Sequence, residues 1–532
     1  MRRAIPASST LLWSVVAVVL LRGVALNSGF FHDDAYITLR YAQNFLAGNG
    51  FGWNPGDRVE GYTNFLQLLA VSGLGGLGVD GVAAARGIAF VSYAALLAFL
   101  THWLRTKPRE ARSGLLGSLP VAGVAGSLPM LTWGFGGLEA PLLSLLLTVG
   151  IALLHDVLNG ERPLAFASAS GVALGLACLT RPDAGLFVAA GLAFLSLSLR
   201  GEARWRGMLL FSLPLALLVA PWLLWKLSYY GGVVPNTFYA KASDPSWQRL
   251  AAGFGYLAAY VGVPPFAFLL LAAGAVRAQA ARGLPLGQAF AGVCLALHLG
   301  WVAYVGGDQM PMHRLLVPVI PTASWLAFSL WLPDLRRMTD ARLAAVATAV
   351  ALCIALQLAV GDGSRRHLNS AAFVGTAVGR HIAAAWPPGS LVALNTAGST
   401  PYHAPGLRYV DMLGLNDAYI ARRDSRAPRI RGQLLPGHAK GDGAYVLRQR
   451  PDYIILGPAN GAPASQPWFL SDLEISEAPG FQRDYQLGRA RLDVRDLPGW
   501  ELLPETHSGQ ILFTWYQRRD GSPLPVLPVP TS

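Results

Sequence analysis

The amino-acid sequence predicts a polytopic α-helical membrane protein with about 11 transmembrane helices, interfacial helices in its first outer loop, and a C-terminal α/β domain. Charged residues make up 14% of the 532, whereas soluble domains carry about 25%. Apolar runs of about 20 residues recur between Leu11 and Val360, the length a helix needs to cross a hydrocarbon core roughly 30 Å thick. Beyond residue 361, charge and proline rise and no further run of this kind follows.

The runs lie at about 11–27, 82–100, 115–132, 139–156, 163–179, 184–199, 208–225, 260–276, 287–304, 315–332 and 342–360. The first is too long, and too poor in a small-residue cleavage site, for a removable signal, so it reads as a retained span. A cytoplasmic N-terminus puts Arg2 and Arg3 on the same side as Arg105, Lys107, Arg109, Arg112, Arg162, Arg200, Arg204, Arg206, Arg277, Arg282, Arg336 and Arg337. That is the positive-inside pattern, and an odd number of spans leaves the C-terminus outside. The outer side then receives Asp33, Asp34, Asp57, Glu60, Asp80, Glu139, Asp183, Asp244 and Asp308.

This distribution argues against several functions, with a lipid or sugar flippase or transporter as the alternative of another class. The formal charge is +12, but the basic residues lie in short loops between apolar runs, which argues for lipid bilayer and against nucleic acid. Cys178, Cys294 and Cys353 lie within apolar runs, without metal-site spacing or loop positions suited to disulfides, and read as small core hydrophobes. A transporter or lipid flippase would hold its substrate groups near the midplane with paired broken helices, whereas the acids here gather on one side. A non-catalytic assembly protein would leave the first outer loop unexplained.

That loop, residues 31–64, concentrates Asp33, Asp34, Arg40, Asp57, Arg58 and Glu60, with Tyr36, Tyr41, Trp53 and Tyr62 among them. Charges at the mouth of a membrane bundle are costly to desolvate and suggest a site. Residues 35–46 contain no Pro or Gly and read as a short interfacial helix, with Asp33 or Asp34 able to cap its N-terminus. Gly48-Asn49-Gly50 ends it, and Asn54-Pro55-Gly56-Asp57 has Pro and Gly at the type II turn positions. A second interfacial helix covers 64–72. Three domains follow: 1–361 transmembrane, 362–522 α/β, and a Pro-rich disordered tail at 523–532. In the α/β domain, Leu391–Leu394, 408–410 and 453–456 read as strands and 373–385 as helix.

Several strings taken together carry a resemblance. His32-Asp33-Asp34-Ala35-Tyr36-Ile37, Asn54-Pro55-Gly56 and Val59-Glu60-Gly61-Tyr62-Thr63-Asn64-Phe65 lie in the first loop. Gly137-Leu138-Glu139, Arg181-Pro182-Asp183, Tyr229-Tyr230-Gly231, Pro235-Asn236-Thr237-Phe238-Tyr239-Ala240-Lys241, Gly306-Gly307-Asp308, His313-Arg314 and Pro318 follow. Asp411-Met412-Leu413-Gly414-Leu415-Asn416-Asp417 and Gly437-His438 complete the set. Nearly the whole chain thus resembles bacterial GT-C glycosyltransferases, among them the mycobacterial terminal β-(1→2)-arabinofuranosyltransferase and arabinosyltransferases that modify pilin.

The resemblance implies a GT-C fold in a bacterial inner membrane with the C-terminal domain periplasmic. It also implies transfer of a sugar, D-arabinofuranose or another pentose or hexose, from a polyprenyl-phosphate donor to a glycan or pilin-like protein. Such transfer needs a carboxylate near the anomeric carbon, as base if the reaction inverts or as nucleophile or ion-pair partner if it retains. Asp33 is the first candidate, with Asp34 as its partner or as the helix cap. The donor's phosphate needs cations, for which Lys241, Arg314, His313 and Arg181 are outer-face candidates. Tyr230, Asn236 and Tyr239 offer stacking and hydrogen bonds to a sugar, with Tyr36, Arg40, Glu60, Tyr62, Asn64, Glu139 and Asp183 as further sugar- or acceptor-facing candidates. Asp308 is a candidate for the acceptor or a cation, and Asp411 and His438 for closing the site from the C-terminal domain. Each has a structural alternative: interfacial anchoring for the tyrosines, snorkelling for Arg314, an internal ion pair for Arg181 and Asp183, and helix-end stabilisation for Glu139. No cofactor is certain; the outer acids offer the oxygen ligands Mg2+ or Ca2+ takes, without a contiguous ligand loop.

Overall fold

A computed structural model describes residues 4–107, 114–241, 246–261, 274, 276, 283–360, 368–424, 428–435, 437–503, 506 and 508–519. The chain divides into two compact units. The first holds Met1–Phe30, Thr63–Val233 and Pro245–His367; the second holds Phe31–Tyr62, Val234–Asp244 and Leu368–Ser532.

In the first unit, among the described residues, seven helices are long and apolar enough to cross a membrane: Ser8–Asn27, Gly81–Thr106, Ala140–Leu158, Gly201–Tyr230, Leu286–Val305, Pro311–Leu335 and Asp340–Ala359. Leu115–Ala125 and Leu128–Phe135, bent by 42° at their junction, make an eighth if they form one span. Among the described residues these account for seven or eight of the eleven expected spans. The runs at 163–179 and 184–199 fold as helices of 15 and 14 residues, which rise only about 22 Å. The run at 260–276 lies largely outside the described residues, as do Arg109, Arg112, Arg277, Arg282, Asp244 and the tail 523–532. At the bent junction Gln357 satisfies the interrupted backbone, accepting from Leu128 N at 2.7 Å and donating to Gly126 O at 3.0 Å. Cys178 and Cys294 are buried and all three cysteines are free.

The second unit is built on a five-stranded mixed sheet ordered β2-β1-β3-β5-β4. β1 (Leu391–Leu394) pairs in parallel with β2 (Arg408–Asp411) and β3 (Tyr453–Ile455), and these short apolar strands are buried as central parallel strands must be. β4 (Tyr485–Asp493) and β5 (Gln510–Arg518) extend the sheet antiparallel. Sequence reading did not find this pair: β4 is polar, with two of its nine residues buried, and presents no continuous apolar run. Val410, Met412, Ile420, Val446, Ile454, Ile475 and Phe481 form the core between the sheet and its helices.

The helix of the first loop runs Asp33–Leu46, starting two residues earlier than expected. Its cap is neither aspartate. His32 occupies that position, and its Nδ1 accepts the Asp34 N–H at 3.2 Å, because the Asp33 carboxylate is engaged elsewhere. The Asn54–Asp57 turn forms as expected: Asp57 N donates to Asn54 O at 3.1 Å, and Gly56 takes φ +83°, the left-handed position of a type II turn. The following helix, Phe65–Gly76, belongs to the first unit.

Candidate functional site

The second unit carries the acid pair, and its two carboxylates differ. Asp33 is buried and accepts from Ser399 Oγ at 2.6 Å, Ser399 N at 2.8 Å and Gly398 N at 3.2 Å. A Cβ on residue 398 would stand 2.0 Å from the Asp33 carbonyl oxygen, so this grip requires glycine. Burial pushes the Asp33 carboxyl up to about 6, against the Ser399 and Gly398 hydrogen bonds that lower it, and the neighbouring Asp34 charge adds to the rise. The Asp34 side chain remains 35% exposed, 3.8 Å from His32 Nδ1. A group that takes a proton from a substrate needs an accessible lone pair. The Asp34 side chain is the more exposed of the two, whereas Asp33 is buried and accepts from three donors.

Aromatic side chains surround the start of this helix. Tyr36 packs on Tyr402 at 5.1 Å, on His403 at 5.3 Å and on Phe31 at 4.8 Å, while His403 Nδ1 lies 2.9 Å from Ser399 O. Ser399, Tyr402 and His403 were missed by sequence reading. Nothing in Ser399-Thr400-Pro401-Tyr402-His403 signals that it meets residues 33–36.

Several other expected sugar-facing residues make contacts within this unit. Arg40 is fully buried, donates to Trp53 O at 3.1 Å and Leu407 O at 3.4 Å, and lies over the Tyr409 ring. Tyr62 is buried edge-on against Tyr41 at 4.9 Å, and Tyr41 bridges Val59 O, Gly61 N and Asn416. Buried Glu60 accepts the Asn236 N–H at 2.9 Å through its carbonyl. Asn236 Nδ2 then reaches the carbonyls of Gly414, Leu415 and Asp417. Asp411 is buried and takes hydrogen bonds from Leu413 N, Gly414 N and both nitrogens of Asn416, which shapes the 411–417 turn; burial pushes its carboxyl up to about 6. Tyr239 lies under the Arg422 guanidinium at 4.4 Å, exposed Lys241 has its methylenes near Gly437, and His438 stacks on Phe469 at 5.6 Å.

The first unit carries a separate charged crevice. Arg181 joins two acids, donating from Nη1 to Glu139 at 3.0 Å and from Nε to Asp183 at 2.8 Å. Arg314 donates from Nε to Asp308 at 3.1 Å, and Asp308 also accepts from Tyr256 OH at 3.2 Å. Asn64 Nδ2 lies 3.4 Å from Glu139. Burial opposes the Glu139 charge, but Arg181 and Arg314 outweigh it and hold the carboxyl below its ordinary value. Glu139, Arg181, Asp183, Arg314, His298 and Trp301 line one narrow crevice of about 10 Å³, room for roughly a single water. His313 sits against Tyr256 at 4.7 Å in a turn where Met312 and His313 both adopt left-handed backbone, φ 57° and 49°. Tyr230 packs on Trp225 and Tyr229. Among the described residues, no group of three or more His, Cys, Asp or Glu side chains is arranged to hold a metal ion.

Comparison with known proteins adds to this geometry. Residues 365–509 match a family model described as a domain of unknown function, DUF8728. The chain is 30% identical over 330 residues to the terminal β-(1→2)-arabinofuranosyltransferase of Corynebacterium glutamicum, covering 54% of this chain and 46% of the relative. It is 31% identical over 255 residues to the Mycobacterium tuberculosis protein of the same name, covering 45% and 39%. The matched stretch therefore spans less than half the length of these relatives. Among solved structures, the mycobacterial arabinofuranosyltransferase AftD superposes with a TM-score of 0.50 at 19% identity, over 95% of this chain and 39% of AftD. ArnT from Cupriavidus metallidurans in its apo state gives 0.51 at 14% identity, over 77% of this chain and 87% of ArnT. The chain is a multi-pass helical membrane protein with a GT-C type fold, similar in sequence to terminal β-(1→2)-arabinofuranosyltransferases.

Proposed function

We propose that this protein transfers a sugar, D-arabinofuranose, from a polyprenyl-phosphate donor to a glycan or protein acceptor on the periplasmic face of a bacterial inner membrane. The observation that supports the reading is the difference in exposure within the acid pair: Asp33 is buried and accepts from Ser399 and Gly398, whereas the Asp34 side chain beside it is 35% exposed. In the reaction the acceptor oxygen bonds to the anomeric carbon as the bond to the phosphate oxygen breaks. The phosphate leaves with the bonding pair, and the acceptor's proton passes to Asp34. A carboxylate there also stabilises the positive charge that develops on the sugar. Asp33 acts as a positioning residue that fixes the start of the helix. The names of the two curated relatives support arabinofuranose as the sugar.

The test is transfer by the purified full-length protein from a panel of polyprenyl-phosphate pentoses and hexoses. We expect turnover with the D-arabinofuranose donor, and loss of about 100-fold or more in Asp34→Asn with the fold intact. Full activity in Asp34→Asn would remove its catalytic role. Transfer from a hexose donor alone would reassign the sugar, and no transfer from any donor would sink the reading.

A further inference from the structure

The second unit holds a depression of about 350 Å³ between the helix Ser370–Ala385 and β4, remote in sequence from the acid pair and within the 365–509 segment of unknown function. Its volume falls within the range of about 300–1,000 Å³ typical of small-molecule sites. Two guanidinium groups, Arg380 and Arg491, and two carboxylates, Asp493 and Asp496, line it, with the His381 ring and buried Leu497 supplying neutral and apolar surface. Two exposed ion pairs lie at its edge: Arg380 Nη1 donates to Asp496 at 3.3 Å, and Asp493 accepts from Arg495 Nε at 2.9 Å. Burial holds His381 below its ordinary value, which keeps its ring neutral at pH 7.

We infer that this depression binds a neutral saccharide. The lining is balanced, two positive groups against two negative. An anion entering it would meet two carboxylates and a cation two guanidinium groups, whereas a neutral polyol suffers neither repulsion. Each sugar hydroxyl donates one proton and accepts through two lone pairs, so a vicinal diol can donate to a carboxylate and accept from a guanidinium at once. Both kinds of bond are charge-assisted and so among the stronger available. The Leu497 surface suits the C–H face of a sugar ring. This site goes beyond the transfer reaction: it holds a glycan, and none of its residues is assigned to the chemistry.

Direct binding to the purified full-length protein tests it, by saturation-transfer NMR and calorimetry. The probes are a neutral D-arabinofuranose trisaccharide, a neutral glucose trisaccharide and a glucuronate-containing trisaccharide. We expect at least one neutral probe to bind, the glucuronate probe to bind at least tenfold more weakly, and the double variant Arg491→Ala/Asp496→Asn to weaken the neutral probe at least tenfold. Sugar transfer to a short acceptor should stay at the wild-type rate in that variant, so a failure of the transfer reading is read separately from a failure of this site. Absence of neutral binding, preference for the glucuronate probe, or unaltered binding in the double variant would each overturn the inference.

Discussion

The Ser399 hydroxyl donates to the Asp33 carboxylate at 2.6 Å, joining residues 366 positions apart in the chain. Removing it with Ser399→Ala leaves Asp33 with two backbone donors in a buried site. A hydrogen bond to a charged group contributes about 1.5–3 kcal/mol, so thermal unfolding of the purified protein should show a loss of that order. Gly398→Ala should cost more, since the new Cβ meets the Asp33 carbonyl oxygen at 2.0 Å and backbone must move. An unchanged melting temperature in both variants would show that this contact does not hold the helix.

The two aspartates should separate by substitution. Asp34→Asn is expected to lose transfer with little change in stability, because its side chain is partly exposed. Asp33→Asn keeps an acceptor oxygen for the backbone donors, and should lower kcat by a smaller factor, about tenfold, without changing KM for the donor. Kinetics of both variants beside their melting curves decide this; equal losses in kcat would assign the pair a shared role.

Asp33 and Asp411 also make stability depend on pH. Each has an ordinary value of 3.8 and is pushed up to about 6 by burial, so the folded protein binds these protons more tightly than the unfolded chain. Their contribution is most favourable below pH 4 and is lost as pH rises through 6, on the order of 3 kcal/mol for each. Asp33→Asn cannot ionise. The stability of wild type relative to this variant should therefore fall as pH is raised from 4 to 7, measured by denaturant unfolding in detergent. A constant difference over that range would show that Asp33 stays ionised throughout.

Breaking the first unit's ion triad should be costly. Arg181→Ala leaves Glu139 and Asp183 buried without their cation, a loss of about 3–5 kcal/mol. Arg181→Lys keeps the charge but has no fork to reach both acids, so it should recover only part of that loss in thermal unfolding of the purified protein. A wild-type melting temperature in Arg181→Ala would show that the triad does not hold the unit.

Much of the fold was legible because it rests on local pattern. Apolar length marks the long helices, Pro55 and Gly56 mark the turn, and the short apolar strings at 391–394, 408–411 and 453–455 mark the buried parallel strands. β4 was hidden because its polar residues leave no run to read, whereas the Ile511–Tyr516 run of β5 was legible and was missed. The runs at 163–179 and 184–199 fold as helices of 15 and 14 residues, because apolar composition does not report where a helix stops.

By itself the sequence determined that the chain is a membrane protein, that acids and aromatics crowd its first loop, and that Arg181 and Asp183 stand close enough to pair. Only the tertiary structure decided which of two adjacent aspartates is saturated, that His32 caps their helix, and that Arg181 also reaches Glu139. The physical reason is the same in each case. Hydrophobic periodicity is written over neighbouring residues, but a carboxylate's free lone pairs depend on donors that the fold brings from hundreds of residues away.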